Sequence, residues 1–151
     1  MKTIITYGTF DLFHVGHVRL LRRLKKLGDR LVVGLSTDEF NKVKGKEVII
    51  PYADRYEILM ACQYVDDVFP EDNWQQKRDD IIREKADIFA IGDDWAGKFD
   101  DLEDIVNVLY LPRTQNVSTT ELKTVLRKID QDKIDEVKNV ASHLTELVSK
   151  L

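Results

Sequence analysis

Two histidines three residues apart, His14 and His17, stand where an apolar run gives way to a helical pattern. The stretch reads Thr6-Tyr7-Gly8-Thr9-Phe10-Asp11-Leu12-Phe13-His14-Val15-Gly16-His17. At that spacing both imidazoles face the same way once the first helical turn includes them. Imidazoles donate hydrogen bonds to phosphate oxygens and take on charge as the phosphate becomes more negative. The surroundings suit an anion as well. Ile4-Ile5-Thr6-Tyr7 reads as a strand, Gly8 permits a tight turn, and Gly16 lets the backbone approach a ligand closely. A helix starting near Gly16 gathers unpaired N–H groups and the positive end of its dipole at that point. Either histidine alone would read as a partly exposed residue beside a capped helix. The strand, both glycines and the histidine pair together read as a phosphate site.

A second stretch carries complementary chemistry, Arg113-Thr114-Gln115-Asn116-Val117-Ser118-Thr119-Thr120. Ser118 and Glu121 have capping-box spacing, so a helix is expected to begin there. Arg113, just past a strand and beside that helix start, has the planar, permanently charged fork that suits a phosphate. Lys42, Lys44 and Lys46 surround Gly45 and would ordinarily be a solvated basic loop. Beside a triphosphate, the same loop can close over the ligand and neutralise developing charge. In Gly92-Asp93-Asp94-Trp95, Asp94 can accept from a ribose hydroxyl or an exocyclic amine, and Trp95 supplies a flat wall. Arg55 reads first as a structural residue, paired with an acid on its own helix. Cys62 reads as a small buried hydrophobe.

The elements that must position these groups alternate strand and helix, the pattern of a doubly wound α/β fold. Five strands are expected: one before Gly8, then Leu31–Leu35, Tyr64–Phe69 ending at Pro70, Asp87–Ile91, and Ile105–Leu111 ending at Pro112. A helix over 17–28 carries Val18, Leu21 and Leu24 on one stripe; a brief helix follows Ser36, and another covers 52–62. Trp74 to Lys85 reads as a charged surface helix with few apolar anchors. From Ser118 the chain reads as helical to its end, with a bend near Asp130. Residues 1–130 form the expected domain and 131–151 a helical extension. On that extension Val137, Val140, Leu144, Leu147 and Leu151 make one apolar seam, suited to the chain's own sheet or to a second subunit. In a parallel sheet, ligands sit beyond the strand C-termini near the switch in strand order. Residues 8–17, 36–46, 92–97 and 112–120 all leave the sheet at that edge.

Composition narrows the classes. With 151 residues, 43% hydrophobic and 33% charged, the chain can bury a real core and is not of disordered composition. A net charge of -4 argues against a nucleic-acid surface. No apolar run approaches the roughly 20 residues that span a bilayer, and the N-terminus reads as a strand with no signal peptide, so a cytoplasmic protein is expected. The dinucleotide fingerprint GxGxxG and the Walker pattern are both absent.

Gly8-Thr9-Phe10-Asp11 followed by His14-Val15-Gly16-His17, together with Arg113-Thr114 and Ser118-Thr119-Thr120, resembles the signature of the cytidylyltransferase family. The likeness runs from residue 1 to about 125 and is strongest to that family's glycerol-3-phosphate branch, through STDEFN, YVDDV, NW and GDDW. It implies a Rossmann-like five-stranded parallel sheet. It also implies in-line attack by the phosphate of a small phosphorylated alcohol on CTP, with Mg²⁺ accompanying the nucleotide, and a homodimer. His14, His17, Lys44 and Arg113 are implied as catalytic. Nucleotide contacts are implied for Thr9, Phe10, Asp11, Gly16, Lys46, Asp94, Trp95, Thr114, Val117, Ser118, Thr119 and Thr120, and acceptor contacts for Lys44 and Lys77. Asp11 is the one metal ligand considered. One departure stands out: Gln63 takes the place of an arginine that this branch usually sets against the nucleotide phosphates. Two other readings stay open, a different phosphate-ester acceptor and a nucleotide-binding regulatory module without catalysis.

Overall fold

A computed structural model describes residues 1–113 and 119–151. Two compact units are present, Met1–Asn116 and Val117–Leu151.

The first unit is built on a five-stranded sheet. Its strands are β1 (Thr3–Gly8), β2 (Arg30–Ser36), β3 (Asp67–Glu71), β4 (Ile88–Gly92) and β5 (Asn107–Leu111). The spatial order is β3-β2-β1-β4-β5 and every pairing is parallel. The order reverses at β1, which has β2 on one side and β4 on the other: Ile5 lies level with both Val32 and Phe89. That reversal is where a parallel sheet opens a crevice at its C-terminal edge.

Alternation along β1 builds a core on each face. Ile4 joins Leu21 and Leu24 of α1 (Val15–Lys25), Leu59 of α3 (Tyr52–Ala61), and Leu31, Val33 and Leu35 of β2. Ile5 and Tyr7 point the other way, to Val32, Phe89, Ile91 and Ile81 of α4 (Lys77–Glu84). With both faces covered, the central strands are continuous apolar runs, which is why they are easily read in the sequence. Truncating a fully buried leucine such as Leu24 to alanine should cost about 2–5 kcal/mol.

Three expectations are corrected. β3 begins at Asp67, later than Tyr64, and runs through Pro70 to Glu71. As a sheet edge it tolerates a proline, whose missing N–H needs no partner on the open side. α4 is not a plain surface helix, since it buries Lys77 and Asp80 alongside Ile81. The second unit is one helix, α5 (Thr119–Ser149), unbroken at Asp130: no glycine or proline occurs in it, and a gap in its apolar seam alone does not bend a helix. Val137, Val140, Leu144 and Leu147 are all exposed on it, and so is Leu151 just past its end. Among the described residues, no helix is long and apolar enough to cross a membrane.

Candidate active site

The chain leaves β1 through a strained turn. Phe10 and Leu12 both take left-handed backbone conformations, with φ of 50° and 48°, unusual for residues with a β-carbon. What holds them is Asp11 between them. Its buried carboxylate accepts backbone N–H groups from Leu12 (3.1 Å), Ile49 (2.8 Å) and Ile50 (2.9 Å). Gly8 is required just upstream, because a Cβ there would lie 2.7 Å from the Phe10 ring.

The turn delivers His14 to the N-cap of α1, and the two histidines cap the helix reciprocally. His14 Nδ1 accepts the Gly16 N–H at 3.0 Å, and His17 Nδ1 accepts the His14 N–H at 3.1 Å. The rings stack with centroids 3.9 Å apart, and Phe13 stacks on the other face of His17. Because both Nδ1 atoms accept, each neutral ring carries its proton on Nε2. Burial, reinforced by the neighbouring His14, pushes His17 down to about 4, and burial also lowers His14. The pair is therefore neutral near pH 7 and serves as a hydrogen-bond donor.

The neighbouring strand end is tied to the same turn by Arg55, which is fully buried. Its guanidinium donates to the carbonyls of Ile50 (2.8 Å), Thr9 (2.9 Å) and Ser36 (2.8 Å), and pairs with Asp38 at 2.8 Å. The structural reading of Arg55 holds, but its acid lies on α2 (Asp38–Val43), not on its own helix. Thr9 Oγ1 donates to the buried Asn41 at 2.9 Å, a further link between the two strand ends.

At the ends of β2 and β3 two ammonium groups are nearly withdrawn from water. The side chains of Lys44 and Lys77 are only 7% and 4% exposed, and they flank Glu71. Lys77 Nζ lies 2.7 Å from one carboxylate oxygen and Lys44 Nζ 3.9 Å from the other. Ser36 Oγ donates to Glu71 at 2.7 Å and accepts from Lys44 at 2.9 Å. Aromatic faces line the rest. Lys44 Nζ lies 4.6 Å from the Phe40 ring, and Lys77 Nζ lies 4.6 Å from Tyr7 and 5.2 Å from Trp74. Gly34 makes room for Tyr7, since a Cβ there would meet that ring at 2.4 Å. The Tyr7 hydroxyl donates to the buried Asp80, and burial drives its own ionisation well above the usual tyrosine range. Burial also pushes Lys44 down to about 8, against the upward pull of Glu71.

The other expected residues fall as follows. Trp95 sits in a short 3-10 turn (Asp93–Trp95) after β4, 5.6 Å from Trp74 between ring centroids, while Asp94 beside it is exposed. Lys46 is exposed and borders, with Asp38 and Lys42, an open cleft of about 490 Å³. Gly16 is buried in the first turn of α1. Arg113 is exposed two residues past the end of β5, so its backbone lies at the C-terminal edge of the sheet. Gln63 is exposed in the turn after α3. Thr119 and Thr120 open α5. Thr114, Val117 and Ser118, and with Ser118 the expected capping box, lie outside the described residues. Sequence reasoning missed Glu71, Ser36, Asn41, Tyr7 and Asp80. Tyr7, Ser36 and Asn41 lie within quoted stretches but were given no role there, Glu71 and Asp80 lie in none, and only the packing of separate segments brings this set to the lysines.

The profile described as cytidylyltransferase-like matches residues 5–125, more than half of the chain. The chain belongs to the cytidylyltransferase-like family. Within it, the chain is 57% identical over 123 residues to a glycerol-3-phosphate cytidylyltransferase of Bacillus subtilis, covering 82% of this chain and 95% of that protein. A protein of the same name from Staphylococcus aureus is 50% identical over 126 residues, covering 83% and 96%. Among solved structures, the lipopolysaccharide core biosynthesis protein of Thermoplasma volcanium superposes with a TM-score of 0.66 at 27% identity, over 76% of this cytidylyltransferase-like chain and 99% of the other.

Proposed function

We propose that this protein transfers CMP from CTP to sn-glycerol 3-phosphate, giving CDP-glycerol and pyrophosphate. A phosphate oxygen of the acceptor forms a bond to the α-phosphorus, and the bond from that phosphorus to the bridging oxygen of the β-phosphate breaks in line. A phosphate dianion is already an adequate nucleophile, so positioning and electrostatic stabilisation can carry the reaction. The stacked His14–His17 pair at the N-terminus of α1, beside the strand-order switch, carries this reading. Through Nε2–H the pair donates to the reacting α-phosphate and the leaving pyrophosphate. Arg113 and Lys46 hold the CTP phosphates, Asp94 and Trp95 receive the nucleoside, and Lys44 and Lys77 receive the acceptor's phosphate. The identity to glycerol-3-phosphate cytidylyltransferases over nearly their whole length favours this acceptor.

Mg²⁺ enters with CTP. Asp11 does not suit the ion, because its carboxylate already accepts three backbone N–H groups. No group of three or more acidic, histidine or cysteine residues among the described residues could hold a metal. The ion is accordingly assigned to the triphosphate oxygens and water, as Mg²⁺ often prefers. The exposed apolar seam of α5 supports a homodimer, which light scattering would weigh directly. Use of CTP as substrate supports the reading of a cytoplasmic protein.

The test is pyrophosphate release from each nucleoside triphosphate, crossed against glycerol 3-phosphate, phosphoethanolamine and a polyol phosphate. CTP with glycerol 3-phosphate should give the highest kcat/KM. Nucleotide binding without pyrophosphate release in any combination would reject catalysis.

A further inference from the structure

Glu71 sits among the site's cations in a way the transfer reaction alone does not account for. Bringing two ammonium groups out of water is strongly unfavourable unless a counter-charge and hydrogen bonds accompany them. Lys44 and Lys77 have one such counter-charge between them, and Glu71 is itself only 3% exposed. The three groups sum to a single positive charge. Ser36 completes the bridge, donating to the carboxylate while accepting from Lys44. The aromatic rings of Tyr7, Phe40 and Trp74 that close the remaining sides accept no strong hydrogen bonds, so Glu71 and Ser36 fix where the ammonium protons point.

We propose that Glu71 is a positioning residue for the acceptor: its carboxylate bridges Lys44 and Lys77 and aims both ammoniums at a shared phosphate dianion. An acceptor phosphate draws on the remaining ammonium protons, three being available on each lysine and one committed to the bridge. This rests on the proposed transfer to a phosphorylated alcohol and adds a residue and a charge requirement to it. It also accounts for a preference among acceptors. The aromatic faces that could cradle a substrate's ammonium group are already occupied by lysine ammoniums, so a neutral polyol phosphate fits better than an aminoalkyl phosphate.

The pH dependence follows from the groups facing Lys44. Burial acts most strongly to lower it; Glu71 opposes, and Lys46, Lys77 and Arg55 push the same way as burial. Removing the Glu71 charge should therefore let Lys44 lose its proton at lower pH. In Glu71→Gln, the alkaline limb of kcat/KM for glycerol 3-phosphate should move down by about one unit or more relative to the wild type. The KM for CTP should stay within about twofold, while kcat/KM for the acceptor at pH 8 falls by about tenfold or more. Glu71→Asp retains the charge but shortens its reach, so the limb should stay near the wild-type position while the acceptor KM rises several-fold.

A lowered Tm in Glu71→Gln with the limb and the acceptor-to-CTP KM ratio unchanged would reduce Glu71 to a structural ion-pair partner and overturn the proposal. If Glu71→Gln does not fold, Glu71→Asp decides alone, and an unchanged acceptor KM there rejects the idea. A wild-type protein that releases no pyrophosphate from CTP and glycerol 3-phosphate would instead reject the underlying function, so the two failures are told apart.

Discussion

The two ends of the site solve opposite problems. At the end of β1, His14 and His17 are held by backbone N–H groups and kept neutral by burial. At the ends of β2 and β3, Lys44 and Lys77 are more deeply buried, but they are paired with the Glu71 carboxylate and face aromatic rings. The first end answers an anion by gaining a proton, so its charge depends on the ligand. The second offers its charge in advance. In the proposed transfer, the nucleotide needs donors that adjust as charge shifts toward the leaving group. An incoming phosphate dianion needs cations already in place to bring it close to another anion. Burial alone thus does not decide the charge of a group; the atoms that accept its protons do.

The sharpest way to break this comparison is at the histidines. His17→Ala or His14→Ala should reduce kcat by about 10²–10⁴-fold with the fold intact by circular dichroism; turnover unchanged in both variants would remove the pair from the reaction. The next effect in size is at the other end. Lys77→Met, which keeps much of the side-chain volume, should lower kcat/KM for the acceptor by about 10²-fold while the KM for CTP moves little. Equal losses for both substrates would mean the two ends are not separate. Trp74→Ala removes a ring that contacts both ammoniums. It should raise the acceptor KM by about tenfold or less, in keeping with the strength of one cation–π face.

The smallest effect concerns stability. His17 titrates near 4 when folded and near 6.5 when unfolded, so between those values the unfolded chain binds more protons. Stability should therefore rise with pH across that window and fall as acid is added, by at most a few kcal/mol. The contribution should level off below about pH 4, and it should vanish in His17→Asn. Thermal melts at several pH values, with and without CTP, would show whether the nucleotide cancels the slope as a charged His17–phosphate contact requires.

The same contrast explains what could be read from the sequence. The histidine end was legible because its parts are consecutive: strand, Gly8, His14, Gly16 and His17 lie within a dozen residues, and their relation is fixed by helix geometry. The sheet was legible for a similar reason, since strands buried on both faces are plain apolar runs. At the lysine end the resemblance named Lys44 and Lys77, but nothing pointed to Glu71 between them. Lys44, Glu71 and Lys77 come from three segments, and Glu71 follows a proline at the end of an edge strand where no periodicity marks it. The same nonlocality misled the reading of α4. Its few apolar positions suggested a surface helix, whereas its polar residues Lys77 and Asp80 are buried by partners on β3 and β1. The bend expected near Asp130 is absent, since α5 holds neither glycine nor proline there.

Arg55 and Asp11 have a consequence for how this protein opens. Between them they stitch the exits of the first two strands to residues 49–50 through bonds to main-chain atoms, which no side-chain substitution elsewhere can replace. The segment carrying Lys44 and the corner preceding His14 therefore cannot loosen one at a time. Amide hydrogens of Ile49 and Ile50, though in a surface stretch, should exchange with deuterium about as slowly as those of the central strands. One cooperative unit thus underlies both halves of the candidate site, and partial unfolding there would silence both together.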